Sequence, residues 1–101
     1  MIYVVRTGRP EPGKVQEFVD WATRVAKYWG SHYPEVRSIE ACRPLSGERN
    51  IVRWIIKLDS LAAWEKTMAQ NQADAEWQKL REERLGIMAP GLTDTFYEIR
   101  E

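Results

Sequence analysis

The chain of 101 residues contains only one cysteine and one histidine. Cys42 cannot form an internal disulfide, which favours a reducing compartment. One histidine and one cysteine without ligand spacing between them do not predict a metal site. A phosphate loop and a dinucleotide-binding fingerprint are also missing. We therefore expect neither a metal nor a cofactor.

The chain also has no excess of charge of one sign. Fifteen basic residues balance fifteen acidic ones, so the formal net charge is zero. Nucleic-acid and membrane-surface binding need a basic excess or patch, and we expect neither partner. No apolar run approaches the length of about 20 residues that a membrane-spanning helix needs. These absences predict a soluble, cytoplasmic protein.

Aromatic residues are abundant, with five tryptophans and four tyrosines. β-branched and aromatic residues from Ile51 to Leu58 predict a strand, and side chains alternate between its faces. One face carries Val52, Trp54, Ile56 and Leu58, and the other carries Ile51, Arg53, Ile55 and Lys57. Because both faces hold large apolar residues, we expect a central strand that is covered on both sides.

Periodicity, caps and breakers predict the other elements. A first helix over 14–29 ends at Gly30, Ser60 caps a second helix, and Asp74 caps a third that reaches about residue 85. The other strands are expected at 2–7, at 35–43 with a bulge or a late start, and at 93–100, with a hairpin turn at 44–47. This order predicts an α+β, ferredoxin-like βαββαβ fold with a four-stranded antiparallel sheet. We expect a single domain over 1–101.

The helices of a ferredoxin-like fold cover only one face of the sheet. The other face of the strand at 51–58 then lacks a cover within the same chain. Two sheets packed face to face would supply one, so the pattern predicts a homodimer through the sheet faces.

Two segments of the chain resemble NIPSNAP-type domains. The first runs from Met1 to Thr7 and continues with Pro12-Gly13-Lys14 at the start of a helix. The second has Trp54 in a strand, then Asp59-Ser60-Leu61-Ala62 opening a helix, and then Asp74-Ala75-Glu76-Trp77. The family has a D-P-E-W-like motif at this last position, and Ala75 replaces its proline. The resemblance covers essentially the whole chain and implies a dimeric α/β barrel fold.

The wider superfamily implied by this resemblance contains quinone-forming and haem-degrading monooxygenases and polyketide cyclases. The resemblance implies that haem-degrading members of this superfamily carry a haem-binding histidine in the helix region. Here that region has Trp77, Gln78 and Lys79 but no histidine. We therefore do not expect haem chemistry.

His32 is the one candidate for a catalytic group. Placed in a loop after the first helix, it could act as a general acid or base at the mouth of a pocket. A loop histidine without a chemical role is the simpler interpretation, because no partner residue is implied nearby.

Five aromatic residues are candidates for ligand contacts: Tyr3, Trp54, Trp64, Trp77 and Tyr97. Core packing is the simpler explanation for them. Arg6 and Arg53 lie within the two predicted central strands, where a buried charge needs a partner. Glu40 and Glu98 on neighbouring strands could pair with them inside the dimer interface. Alternatively, one arginine binds an anionic ligand, such as a carboxylate.

Three hypotheses about function follow. The first is a binding or regulatory protein that holds a small apolar or anionic molecule in an aromatic pocket between sheet and helices. The second is a cofactor-independent monooxygenase or polyketide-cyclase-like enzyme that uses His32, Arg53 and pocket aromatics. The third is a structural homo-oligomer without a ligand. The lack of a recognisable acid–base pair favours the first hypothesis.

Overall fold

The strands and helices follow one another along the chain in the predicted order. The computed structural model describes residues 1–100; residue 101, the last of the predicted domain, lies outside the described residues. The elements are β1 (Ile2–Gly8), α1 (Val15–His32), β2 (Val36–Cys42), β3 (Val52–Leu58), α2 (Leu61–Ala73), α3 (Ala75–Glu82) and β4 (Thr93–Glu98). The α+β, ferredoxin-like prediction is confirmed. Within the described residues, no helix has both the length and the apolar character needed to cross a membrane.

The four strands form one antiparallel sheet in the order β2-β3-β1-β4. The strands β1 and β3 are therefore central, as predicted. In β1, Arg6 lies opposite Trp54 of β3 on one side and Asp94 of β4 on the other. The predicted bulge in β2 is confirmed by a register shift between Val36 and Ser38.

One face of the sheet is covered by the helices and contains the core. Val52, Trp54, Ile56 and Leu58 are each at most 3% exposed, so the predicted buried face of β3 is confirmed. The Trp54 indole packs edge-on against Phe18 and Trp21 of α1, and its Nε1 donates to the carbonyl of Ala22 at 3.0 Å. A buried tryptophan thus has its polar atom satisfied by the helix above it.

The opposite face, here called the open face, has no helix over it. Alternation and register place on it the side chains of Tyr3, Val5, Thr7, Ser38, Glu40, Cys42, Arg53, Ile55, Lys57, Thr93, Thr95 and Tyr97. Val5 and Ile55 are half-buried at its centre, while Tyr3 and Tyr97 are exposed.

Four predictions about where an element or turn ends are wrong. The helix α1 continues through Gly30 to His32, because the chain turns only where Tyr33 donates back to the carbonyl of Trp29 and Pro34 follows. A loop over 43–51, rather than a tight turn at 44–47, connects β2 and β3. The helix α3 ends at Glu82 and the strand β4 at Glu98, each earlier than expected.

Candidate functional site

A cavity of about 40 Å³ lies between the helix-covered face of the sheet and helices α1 and α3. This volume is room for about three water molecules. Tryptophans from both helices and from the sheet line it: Trp21, Trp29, Trp54 and Trp77. Aliphatic side chains and three arginines complete the lining: Val25, Ile39, Ile56, Leu92, Arg6, Arg81 and Arg84. Because Leu92 is 43% exposed, the cavity reaches the surface on that side.

Arg6 enters the cavity from the central strand β1. Its Nε and Nη2 donate to the two carboxylate oxygens of Asp94 at 2.8 and 3.0 Å. Its guanidinium also lies 5.3 Å from the centre of the Trp64 ring and 5.8 Å from that of Trp29. The ion pair and the two indoles together account for a charge that is only 19% exposed.

Arg6 pairs with neither of the two carboxylates suggested as its partner. The carboxylate of Glu40 lies on the open face, away from Arg6, and Glu98 pairs with Arg100 instead. Asp94 is the residue directly opposite Arg6 in β4, so its short side chain meets the guanidinium without crossing the sheet. Arg53 is exposed and forms no ion pair with any residue of the described range 1–100.

Arg81 and Arg84 lie together at the end of α3. Arg81 is in the last turn of the helix, and the Arg84 Nη1 donates to the Arg81 carbonyl at 3.0 Å. Within residues 1–100 neither guanidinium has a carboxylate within ion-pair distance, because the nearby Glu83 pairs with Arg24. The charged groups that line the cavity are therefore all cationic.

Trp29 has an unsatisfied donor beside this cavity. Its side chain is 1% exposed, and its buried Nε1 has no hydrogen-bond acceptor among the described residues. In contrast, Trp21 Nε1 donates to the Leu80 carbonyl at 2.8 Å. An unpaired buried N–H is costly, so an acceptor atom in the cavity would be stabilised there.

Asp74 joins the end of α1 to the junction of α2 and α3. Its carboxylate accepts from the hydroxyls of Tyr28 at 2.6 Å and Tyr33 at 2.9 Å, and from the backbone N–H of Glu76 and Trp77. These bonds, that of Tyr28 first, lower the pKa of Asp74 although desolvation opposes them. Burial and the bond to this carboxylate raise the pKa of Tyr28 to about 12, and the same causes raise the pKa of Tyr33.

His32 lies away from the cavity. It occupies the last turn of α1 rather than a loop, and its ring stacks on Tyr28 with 3.9 Å between ring centres. It borders a separate, shallow surface depression together with Ser31 and Lys27. Within residues 1–100, no three His, Cys, Asp or Glu side chains are grouped so that they could hold a metal ion.

The structure divides the predicted site residues among different places. Arg6, Trp54 and Trp77 line the cavity, and Trp64 packs on Arg6 and on the ring of Phe96. The other candidates lie on the open face: Tyr3, Arg53 and Tyr97. Arg6 and Arg53 therefore do not lie together, because β1 and β3 direct them to opposite faces.

Sequence reasoning missed the contributions of Trp29, Arg81 and Arg84. Trp29 belongs to the apolar stripe of α1, which signals burial but not a cavity. Arg81 and Arg84 lie in a mixed charge run that is typical of a solvated helix face. Their spacing of three residues, which places two side chains on one side of a helix, was the available signal.

Solved structures of about the same length share this fold. A NIPSNAP domain protein from Burkholderia xenovorans has a TM-score of 0.81 at 21% identity, and the match covers 99% of this chain and 95% of that one. A NIPSNAP family protein with unknown function from Agrobacterium tumefaciens has a TM-score of 0.77 at 18% identity, covering 96% and 86%. An antibiotic biosynthesis monooxygenase has a TM-score of 0.74 at 10% identity, covering the full length of both chains.

These similarities confirm the NIPSNAP-like fold that the sequence motifs implied. No protein-family model matches the chain, and no curated protein matches it in sequence. At identities of 21% or less the likeness establishes the fold alone.

Proposed function

We propose that the protein is a NIPSNAP-like homodimer and that each protomer binds a small molecule in the cavity between its sheet and helices. The observation that carries this proposal is the cavity itself, which is lined by four tryptophans and has cationic groups at one side. Ligand sites are typically concave, mostly apolar and equipped with a few polar groups.

The size of the cavity limits the ligand. Its volume of about 40 Å³ is well below the roughly 300–1,000 Å³ of sites that enclose drug-sized molecules. A cavity that holds one benzene ring has a volume of roughly 150 Å³, so even a single ring requires the exposed Leu92 side chain to move outward. A larger ligand would also displace Arg81, which is exposed and can move without opening the core.

The open face supports the dimer. Val5 and Ile55 form an apolar centre that is flanked by Tyr3, 36% exposed, and Tyr97, 52% exposed. Antiparallel sheets with apolar residues on both faces need a second layer. A second copy, related by a two-fold axis, would place the same apolar centre against itself.

The enzyme alternative, a cofactor-independent monooxygenase or polyketide cyclase, has weaker support. The fold likeness to an antibiotic biosynthesis monooxygenase favours it. However, His32 does not line the cavity. Among residues 1–100, no residue that lines the cavity is a carboxylic acid or histidine that could exchange a proton near neutral pH. Binding without catalysis is therefore the proposal that the side chains support better.

Calorimetric titration with small aromatic compounds, both neutral and anionic, tests the cavity. The wild-type protein is expected to bind at least one of them, and Leu92→Trp, which fills the exposed side of the cavity, is expected to abolish that binding. Leu45→Trp is the matched control, because Leu45 is 93% exposed and is not a lining residue. Equal binding by Leu92→Trp and wild type would contradict the proposed site.

Sedimentation equilibrium at micromolar concentration tests the dimer. Ile55→Glu places a charge at the centre of the open face and is expected to give monomers. Leu61→Glu is the control, because Leu61 is 56% exposed at the start of α2 and lies on the helical side. A wild-type monomer, or dimers of both variants, would reject this interface.

A further inference from the structure

The charges around the cavity determine which ligands it favours. Arg6 already has two hydrogen bonds to Asp94, so its charge is matched. Arg81 and Arg84 are unmatched within the described residues, and no carboxylate lines the cavity. An anion placed beside Arg81 and Arg84 would gain charge-assisted hydrogen bonds.

The geometry of the two arginines favours a carboxylate. The Arg84 Nη1 is bonded to the Arg81 carbonyl, which holds the Arg84 guanidinium at the end of α3 and leaves its other N–H groups available. A guanidinium presents two parallel N–H groups that match the two oxygens of a carboxylate. Both side chains lie where the helix ends, so one small anion can contact the pair.

The rest of the lining favours a flat ring. The indoles of Trp54 and Trp21 meet at 88° with ring centres 5.8 Å apart, and those of Trp29 and Trp77 meet at 74° and 5.5 Å. These distances are contacts within each pair, so a planar ring would lie beside the pairs and not between their indoles; there it can pack face-on to one indole and edge-on to another. An aliphatic chain of equal volume would lose this contact.

The unsatisfied N–H of Trp29 adds a polar requirement. Trp29 lines the same cavity as the two arginines, and its buried Nε1 has no acceptor among residues 1–100. A ligand whose ring carries an acceptor atom away from its carboxylate could satisfy this donor while its anionic group stays at the cationic side.

We infer that the cavity selects an aromatic monocarboxylate with a hydrogen-bond acceptor on its ring, bound by Arg81 and Arg84 at the carboxylate and by Trp29 Nε1 at the acceptor. This inference rests on the proposed function, because it specifies the ligand of the proposed cavity. It assigns a role in recognising the ligand to three residues: Trp29, Arg81 and Arg84.

The first test compares benzoate with benzamide, which has the same shape without the charge. The wild-type protein is expected to bind benzoate at least about tenfold more tightly, the factor typical of a hydrogen bond to a charged group. Arg81→Gln combined with Arg84→Gln should remove that preference. Arg49→Gln is the control, because Arg49 is exposed in the loop before β3 and does not line the cavity.

The second test compares benzoate with isonicotinate, in which a ring nitrogen replaces one C–H opposite the carboxylate. The ratio of the two affinities is expected to fall about threefold to tenfold in Trp29→Phe, which removes the donor. Trp29 is also a core residue. The indole ¹H–¹⁵N resonance of Trp29 in the wild-type protein therefore gives a second readout, which does not depend on the folding of the variant. It should move downfield with isonicotinate and not with benzoate.

The outcomes separate this inference from the proposed function. If benzamide and benzoate bind equally and the arginine variants change neither, the anionic selectivity is wrong while the cavity remains a binding site. If the Trp29 resonance has the same position with isonicotinate as with benzoate, Trp29 does not donate a hydrogen bond to the ring acceptor. If none of the three compounds binds but another small aromatic compound does, the inference is wrong and the cavity remains a binding site. If no small aromatic compound binds, the proposed function is rejected as well.

Discussion

Replacing Asp74 with alanine is expected to destabilise the fold strongly. The change removes hydrogen bonds from the Tyr28 and Tyr33 hydroxyls at 2.6 and 2.9 Å and from two backbone N–H groups at 3.1 and 3.2 Å. Loss of the helix N-cap costs about 1 kcal/mol. Loss of the two bonds to a charged acceptor costs about 1.5–3 kcal/mol each before solvent offsets part of it. We expect a net loss of about 2–4 kcal/mol in the free energy of unfolding.

Thermal unfolding followed by circular dichroism, at one fixed protein concentration, measures this loss. A domain of this size loses about 4–8 °C of Tm per kcal/mol, so Asp74→Ala should lower Tm by about 10–25 °C. Asp59→Ala is the control, since the carboxylate of Asp59 pairs with Arg37 through two bonds on an exposed surface. If Asp74→Ala has no larger effect than Asp59→Ala, Asp74 does not join the helices as described.

The same carboxylate predicts how stability depends on pH. The pKa of Asp74 is lower in the folded protein than the value of about 3.9 expected when unfolded. Its contribution is therefore present above that value and is lost as the pH falls through the folded-state pKa. The difference in Tm between wild type and Asp74→Asn should narrow below about pH 4, whereas a constant difference would contradict this assignment.

Three further predictions concern single residues. Gly8→Ala should destabilise the protein by about 1–3 kcal/mol, because a Cβ at Gly8 would lie 2.9 Å from Phe18 Cζ. Gly30→Ala inside α1 should stabilise it by about 0.5–1 kcal/mol, because alanine is the better helix former. Urea unfolding measures both changes, and the same sign for both would contradict these contacts. Arg53→Met should leave protomer stability unchanged in the same assay, because Arg53 is exposed. A large loss of stability would contradict the assignment of Arg53 as a residue without an ion pair inside the protomer. Absorbance at 295 nm should show Tyr28 ionising near pH 12. The Tyr28→Phe variant should lose this step of the titration curve, and an unchanged curve would contradict the raised pKa of Tyr28.

The fold could be predicted because its signals are local and repeated. Alternation in β3 identified the buried face correctly, and Ser60 and Asp74 cap the helices that they were expected to cap. Segment order then selects a ferredoxin-like sheet with few alternatives. The end of α1 was misplaced because Gly30, a frequent stop signal, is tolerated there with only Ile39 near its missing Cβ.

The candidate site was harder to predict because it depends on which face each side chain occupies. Arg6 and Arg53 are both in central strands, and only the register of the sheet shows that they point in opposite directions. Asp94, the true partner of Arg6, is 88 residues away in sequence and carries no local signal. Trp29 and Trp54 look alike in the sequence, and only the surrounding acceptors distinguish the satisfied indole from the unsatisfied one.

Native mass spectrometry of the protein isolated from its own host tests the central proposal most directly. We predict a species of twice the chain mass that retains a small molecule in each protomer, and that loses this added mass when the Leu92→Trp variant is isolated in the same way. A species without any added mass, identical for wild type and variant, would contradict the proposal that the cavity is a ligand site.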